Sequence, residues 1–248
     1  MMQNSKTLFS LAVCSLFAVA ANAQILVDDN FNRPDGPLQG TNPTPGPGGT
    51  WVTHSPDVPL GDLLISGGQA VVQHGTPADD VHTLFAGKGS GVLTAVFDIT
   101  VNDDAVIGGG DYEYFAHFMT EGSFNFRSRL DVVAPNDTGD YTLGISSGTS
   151  TAETIFPTDF SFNTPVNVAL SFNLDTGIGG LTVGGTSISG IDTYLGEVLD
   201  SFALRQSDSS NNESILVDNL VVSYVPEPTS LALGGLGLLT LLMARRRR

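Results

Sequence analysis

From Val166 to Leu174 apolar and polar residues alternate without interruption. Val166, Val168, Leu170, Phe172 and Leu174 fall on one side of an extended chain, and Asn167, Ala169, Ser171 and Asn173 on the other. Successive side chains of a strand point to opposite faces, so such a run has one packed face and one wet face. Leu93, Ala95, Phe97, Ile99 and Val101 make a second apolar face. Phe124, Phe126, Leu130 and Val132 make a third, opposite Asn125, Arg127, Arg129 and Asp131. Further short runs bounded by Gly, Asn, Asp and Pro predict strands at 63–66, 70–73, 112–119, 141–145, 181–183, 198–205 and 215–224. No segment between Ile25 and Val225 keeps a helical period, and no internal repeat of fixed length is present. This many one-sided strands bury their apolar faces only by stacking two sheets, so the chain predicts an all-β, two-sheet antiparallel sandwich of the jelly-roll kind.

One hairpin can be specified from parity. Tyr112, Tyr114, Ala116 and Phe118 share a face with Phe124, Phe126 and Leu130 only across an odd-numbered loop, and Thr120-Glu121-Gly122 supplies it. That register sets Phe118 against Phe124, Tyr114 against Ser128, Glu113 against Arg129 and Phe115 against Arg127.

The two ends differ in kind from this middle. Lys6 precedes an apolar run from Leu8 to Ala21, and Ala21-Asn22-Ala23 places small residues where a signal peptidase reads. Cleavage after Ala23 leaves Gln24 as the new N-terminus. The only cysteine, Cys14, lies inside that segment, so the mature chain has neither disulfide nor thiolate chemistry. At the far end Pro226-Glu227-Pro228 precedes an apolar segment from Leu231 to Ala244 and then Arg245 to Arg248. A basic cluster directly after an apolar segment stays on the cytoplasmic side. Fourteen helical residues span about 21 Å against a hydrocarbon core of about 30 Å, which suits a temporary anchor. The expected organisation is therefore a signal helix at 1–23, a sandwich at 24–225 and a tail with a short transmembrane helix at 226–248.

Pro226-Glu227-Pro228, the short apolar helix and the terminal arginines together resemble the PEP-CTERM sorting signal of bacteria that secrete exopolysaccharide. The resemblance implies recognition near Pro226, Glu227 and Pro228 by an exosortase-type membrane protease. Transient anchoring in the inner membrane and delivery to the cell surface or extracellular matrix then follow. Two stretches of the middle segment resemble LamG-like or concanavalin A-like jelly rolls. They are Asp29-Asn30-Phe31-Asn32-Arg33-Pro34-Asp35-Gly36-Pro37-Leu38 with Gly49-Thr50-Trp51, and the closing run from Ile215 to Val222. That likeness implies that the first and last strands lie near each other.

Charge narrows the function classes. Between Ile25 and Val225 five basic residues, Arg33, Lys88, Arg127, Arg129 and Arg205, face 25 acidic ones, a net of −20. Such a surface repels nucleic acid and anionic lipid. Glycoside hydrolysis needs two carboxylates on one face about 5 Å apart. Asp111-Tyr112-Glu113 comes nearest, with Glu113 expected opposite Arg129, which favours its charged form and spoils it as a proton donor. No Gly-x-Ser-x-Gly elbow is present, and His54, His74, His82 and His117 show no metal-binding spacing, so each reads as a surface or loop histidine. Oxygen-rich loops suit calcium better. Asn136-Asp137-Thr138-Gly139-Asp140 makes Asp137 and Asp140 the candidate ligands, although Asp and Asn are also default turn residues. Trp51 reads as a buried sandwich tryptophan. The outer hairpin face with Phe115, His117, Asn125 and Arg127 is the candidate glycan-binding patch. The expectation is a non-enzymatic surface or matrix protein with weak polysaccharide binding, the alternatives being a purely structural protein or a glycosidase.

Overall fold

The computed structural model describes residues 22–54, 63–73, 79–104, 107, 114–123, 125–147, 149, 151–190, 195–206 and 213–227. Apart from Asn22, Ala23, Pro226 and Glu227, both expected terminal helices lie outside the described residues. So do Ala21, His74, Asp111, Tyr112, Glu113, Phe124 and Pro228.

Among the described residues sixteen strands follow one another. They are β1 (Gln24–Asp29), β2 (Gly36–Pro37), β3 (Val52–Thr53), β4 (Leu64–Ser66), β5 (Gln69–Gln73), β6 (Asp80–Lys88), β7 (Val92–Val101) and β8 (Tyr114–Met119). After these come β9 (Phe126–Val133), β10 (Thr142–Ser146), β11 (Thr154–Ile155), β12 (Val166–Asn173), β13 (Ile178–Val183), β14 (Thr186–Ser189), β15 (Leu199–Arg205) and β16 (Ser214–Val225). A nine-stranded sheet runs β14-β13-β12-β7-β16-β5-β4-β2, with β1 also paired to β16. A seven-stranded sheet runs β11-β10-β9-β8-β15-β6-β3. The two-sheet antiparallel sandwich is therefore as the alternation predicts. β7 shows why: Leu93, Ala95, Phe97, Ile99 and Val101 are all fully buried, while the residues between them are only partly so.

The first and last strands pair directly, from Gln24 opposite Tyr224 to Asp29 opposite Leu220. Aromatic rings close the space between the sheets. Phe202 of β15 meets Phe97 of β7 and Phe118 of β8 with ring centroids 5.8 and 5.5 Å away. Each such fully buried ring contributes roughly 1.5–3 kcal/mol. Trp51 is buried in the same core, as expected.

The hairpin differs from its parity-based register. Met119 pairs with Phe126, Phe118 with Arg127, Ala116 with Leu130 and Tyr114 with Asp131, and the register shifts on both sides of Ala116. Each irregularity inserts backbone that the two-residue period does not count. The connection is also longer, from Thr120 to Asn125, although Gly122 does take the expected left-handed conformation at φ 69°. As a result Phe115 packs in the main core, whereas Tyr114, Met119 and Phe126 form a separate cluster with Ala203. β6 is the long strand that periodicity misses. Its first four residues, Asp80 to Thr83, are all buried, so no polar alternation marks it.

Candidate functional site

Across three neighbouring strands of the seven-stranded sheet, His82 of β6 pairs with Ala203 of β15, which pairs with His117 of β8. The small Ala203 leaves room for the two imidazoles that flank it. His54 follows β3 and completes a trio, its ring centroid 5.4 Å from that of His82 and 6.1 Å from that of His117. Around the trio, His117 lies 4.2 Å from the Phe126 ring and 5.3 Å from the Tyr114 ring. Two guanidinium groups cover Tyr114: the Arg129 Cζ lies 4.8 Å and the Arg205 Cζ 4.6 Å from its ring centre. Thus Arg129 and Arg205, two of the five basic residues between Ile25 and Val225, converge on three of the chain's four histidines.

Burial sets the chemistry of this face. His117 is fully buried, and His82 and Arg129 are 3% and 9% exposed. Both ring nitrogens of His54, His82 and His117, and the Nε of Arg129, are buried without a hydrogen-bond partner. Burial removes water from each imidazole and so disfavours its charged form. The His54 pKa is lowered from 6.5 to about 4 by burial, with His82 and Arg205 adding to the effect. His82 is lowered by burial too, with Glu121 and Asp200 opposing. His117 is pushed well below the usual range by burial, then by His54, Arg205, Arg129 and His82. Asp80 Oδ2 sits 3.4 Å from His54 Nε2, a contact that by itself favours imidazolium. Desolvation prevails because that carboxylate oxygen also lies 3.5 Å from Arg205 Nε. At neutral pH the trio is therefore uncharged, beside two arginines.

This arrangement corrects the reading of His54, His82 and His117 as scattered surface or loop groups: strand order brings together positions far apart in sequence. It also dismantles the expected glycan patch. Phe115 faces the main core, His117 belongs to the trio, and Asn125 is exposed at the end of the β8–β9 connection. Arg127 is held by Glu197 through Nε and Nη2 at 2.7 and 2.6 Å. Arg129 donates from Nη1 to the Thr149 carbonyl, and its expected hairpin partner Glu113 lies outside the described residues. The signal for the trio was the clustering of Arg127, Arg129 and Arg205 on expected strands. Recognising β6 as a strand was the step needed to add His82.

Asp137 and Asp140 lie on an exposed loop with another organiser. The Asp159 carboxylate accepts the amides of Asn136 at 2.7 Å, Asp137 at 2.8 Å and Gly139 at 3.4 Å. These bonds hold its carboxyl below the usual range, the Asn136 amide foremost. Asp140 accepts the Phe162 amide at 2.9 Å. Among the described residues, no three His, Cys, Asp or Glu side chains form a group that could hold a metal ion.

The other end of the sandwich bears on delivery. β16 runs to Val225, which pairs with Val92. Residues 225–248 match the family model of the PEP-CTERM protein-sorting motif. The chain carries a PEP-CTERM sorting tail. The PEP-CTERM match thus begins on the last residue of the sandwich, with no linker between them. No curated protein matches the chain. Among solved structures it is similar to a sialidase, at 14% identity over 70% of this chain and 17% of that one, TM-score 0.48. It is also similar to a peanut lectin, at 12% identity over 83% and 99%, TM-score 0.47. The Emp47p carbohydrate recognition domain is similar at 12% identity over 81% and 95%, TM-score 0.44.

Proposed function

We propose that this chain is an exported, exosortase-sorted protein of the cell surface or exopolysaccharide matrix, whose sandwich works as a non-enzymatic module. The observation that carries the reading is the PEP-CTERM motif at 225–248. A signal peptidase removes the leader after Ala23, and the tail holds the product at the inner membrane until the protease acts near Pro226-Glu227-Pro228. Replacing Pro226, Glu227 and Pro228 by alanine leaves an uncleaved, membrane-bound chain, read by mass spectrometry of the membrane and medium fractions. Unchanged release of the same product would sink the sorting role.

Weak polysaccharide binding belongs at the face of the seven-stranded sheet rather than at the hairpin patch. Its support is the set of buried nitrogens without a hydrogen-bond partner on His82, His117 and the Nε of Arg129, beside Arg205, whose side chain is 23% exposed. Hydroxyl and carboxylate oxygens are the partners these groups lack, and unmet buried donors favour a ligand that satisfies them. A glycan array probed with the secreted chain is expected to retain polysaccharides and to lose them in Arg205→Ala. Silence across acidic and neutral glycans would leave the structural reading, a matrix protein without a saccharide ligand.

A further inference from the structure

Large apolar side chains on the surface of this sandwich are not scattered evenly. Among the described residues seven are exposed: Ile25, Leu64, Ile155, Ile178, Leu195, Val198 and Val225. Strand register places most of them at one end. Gln24 pairs with Tyr224 and Ile25 with Ser223. Val225 pairs with Val92, Val92 with Asn173, and Asn173 with Ile178. The second sheet contributes at the same end, because Lys88 pairs with Leu199, next to Val198. A Cβ on Gly89 would lie 3.4 Å from Val198. Leu195 sits in the short segment that leads to Val198. The Lys88 Nζ lies 4.6 Å over the Tyr224 ring and donates to Gln24 Oε1 at 3.3 Å, tying the two sheets together here. A Cβ on Gly91 would lie 2.4 Å from the Val225 carbonyl oxygen and 3.1 Å from the Pro226 Cα. Glycine is what lets this turn pass so close to the strand end. Leu64 and Ile155 belong elsewhere: Leu64 pairs with Val71 of β5, and Ile155 with Gly144 of β10.

Both chain ends leave the sandwich at this apolar pole. Four Cα steps separate Glu227 from Leu231, the first residue of the apolar tail, and they reach at most about 14 Å. A tail seated in a bilayer therefore keeps the pole within that distance of the lipid headgroups. At the N-terminus, three residues separate Ala21, where the leader's apolar run ends, from Ile25. We infer that Ile25, Ile178, Leu195, Val198 and Val225 form a membrane-facing surface that rests on the lipid interface while the tail is uncleaved. The inference builds on the sorting reading and adds an orientation to it. Apolar groups rimmed by polar ones suit that boundary, where they gain burial without spanning the bilayer. The charge around the pole is mixed. Lys88 faces Tyr224, Glu197 is neutralised by Arg127, and Glu227 adjoins Asp175, whose hydrogen bond and charge raise the Glu227 pKa. Attraction to the bilayer thus rests on apolar burial rather than on a basic patch.

The test uses the full chain with Cys14→Ser, reconstituted in phosphatidylethanolamine–phosphatidylglycerol vesicles. Single cysteines at Ile25, Ile178 and Val198 carry a fluorophore, and cysteines at Leu64 and Ile155 serve as controls. A further variant, Leu239→Cys, reports the tail. The expected result is loss of fluorescence at the three pole positions when headgroup-nitroxide lipid is included, with no loss at Leu64 or Ile155. Equal signals at pole and control positions, with the Leu239 label still quenched by acyl-chain nitroxide, would overturn the orientation and leave tail anchoring intact. An unquenched Leu239 label would overturn the anchoring and the orientation together. Unchanged Trp51 emission in each variant checks that the sandwich is intact.

Discussion

Asp29→Ala is expected to lower the free energy of unfolding by about 3–5 kcal/mol, the cost of stranding one partner of a buried ion pair. Asp29 is fully buried and organises the opening of the sandwich through both carboxylate oxygens. Oδ1 accepts the Phe31 amide at 2.9 Å and the Thr44 amide at 3.3 Å. Oδ2 accepts the Trp51 indole N–H at 2.8 Å and the Arg33 guanidinium at 2.5 Å. The Asp29–Phe31 bond also stabilises Phe31 in the left-handed region, at φ 51°, where a bulky residue is otherwise strained. Alanine leaves Arg33, whose side chain is 11% exposed and lies 5.6 Å over the Phe31 ring, without its counter-charge. Asp29→Asn keeps the Oδ1 acceptor but loses the charge, and should fall between wild type and alanine. Trp51 is the chain's only tryptophan, so its emission in a urea titration reads the loss directly. In the double variant Asp29→Ala/Arg33→Met the combined cost should be well below the sum of the single costs, since neither charge is then stranded. A shift of less than about 1 kcal/mol in Asp29→Ala, no more than one ordinary hydrogen bond, would show that this network does not hold the opening together.

The same residues show what the sequence discloses and what it withholds. The run from Asp29 to Leu38 with Trp51 is recognisable as the start of a sandwich, yet nothing in it says that Asp29 and Trp51 touch across 22 positions. Strands with one wet face, such as β7 and β12, are legible because alternation is itself the record of that face. β6 is not, because both of its faces are covered at its start. The hairpin illustrates a different failure. Parity assumes an unbroken ladder, and the irregularities beside Ala116 move Phe115 into the core, while His117 keeps its expected side, against Tyr114 and Phe126. The sequence of the loop at Asp137 and Asp140 points to its own carboxylates, whereas a carboxylate from another loop, Asp159, binds its amides. The histidine trio needs the order β8-β15-β6-β3, which no local pattern encodes. Local periodicity reports which side of a strand is dry. It cannot report which strand lies next to which.

That trio should make the protein acid-labile at a pH well above that of ordinary carboxylate titration. A histidine whose folded pKa is depressed binds fewer protons when folded than when unfolded. Its contribution to stability is complete above the unfolded value of about 6.5 and is lost as pH falls toward the folded value. For His54 the window runs from 6.5 down to about 4. At 1.36 kcal/mol per unit that is a loss of about 3 kcal/mol by pH 4. His82 and His117 are depressed as well and act in the same direction. Asp80 beside His54, and Glu121 and Asp200 toward His82, soften the effect, while Arg205 and Arg129 sharpen it. The raised carboxyl of Asp218 opposes it near the bottom of the range, because its folded form takes up a proton more readily than the unfolded chain does. Asp159, depressed below the carboxylate range, adds its own loss only at lower pH. Urea midpoints of the secreted chain between pH 7.5 and 4 should therefore fall steeply below pH 6.5. His117→Phe removes two buried nitrogens that have no partner while keeping a ring of similar size beside Phe126, so the fall should be shallower and stability at pH 7.5 no worse. An unchanged slope in that variant, or a wild-type midpoint that is flat from pH 6.5 to 4.5, would mean that the trio is already solvated or protonated at neutral pH.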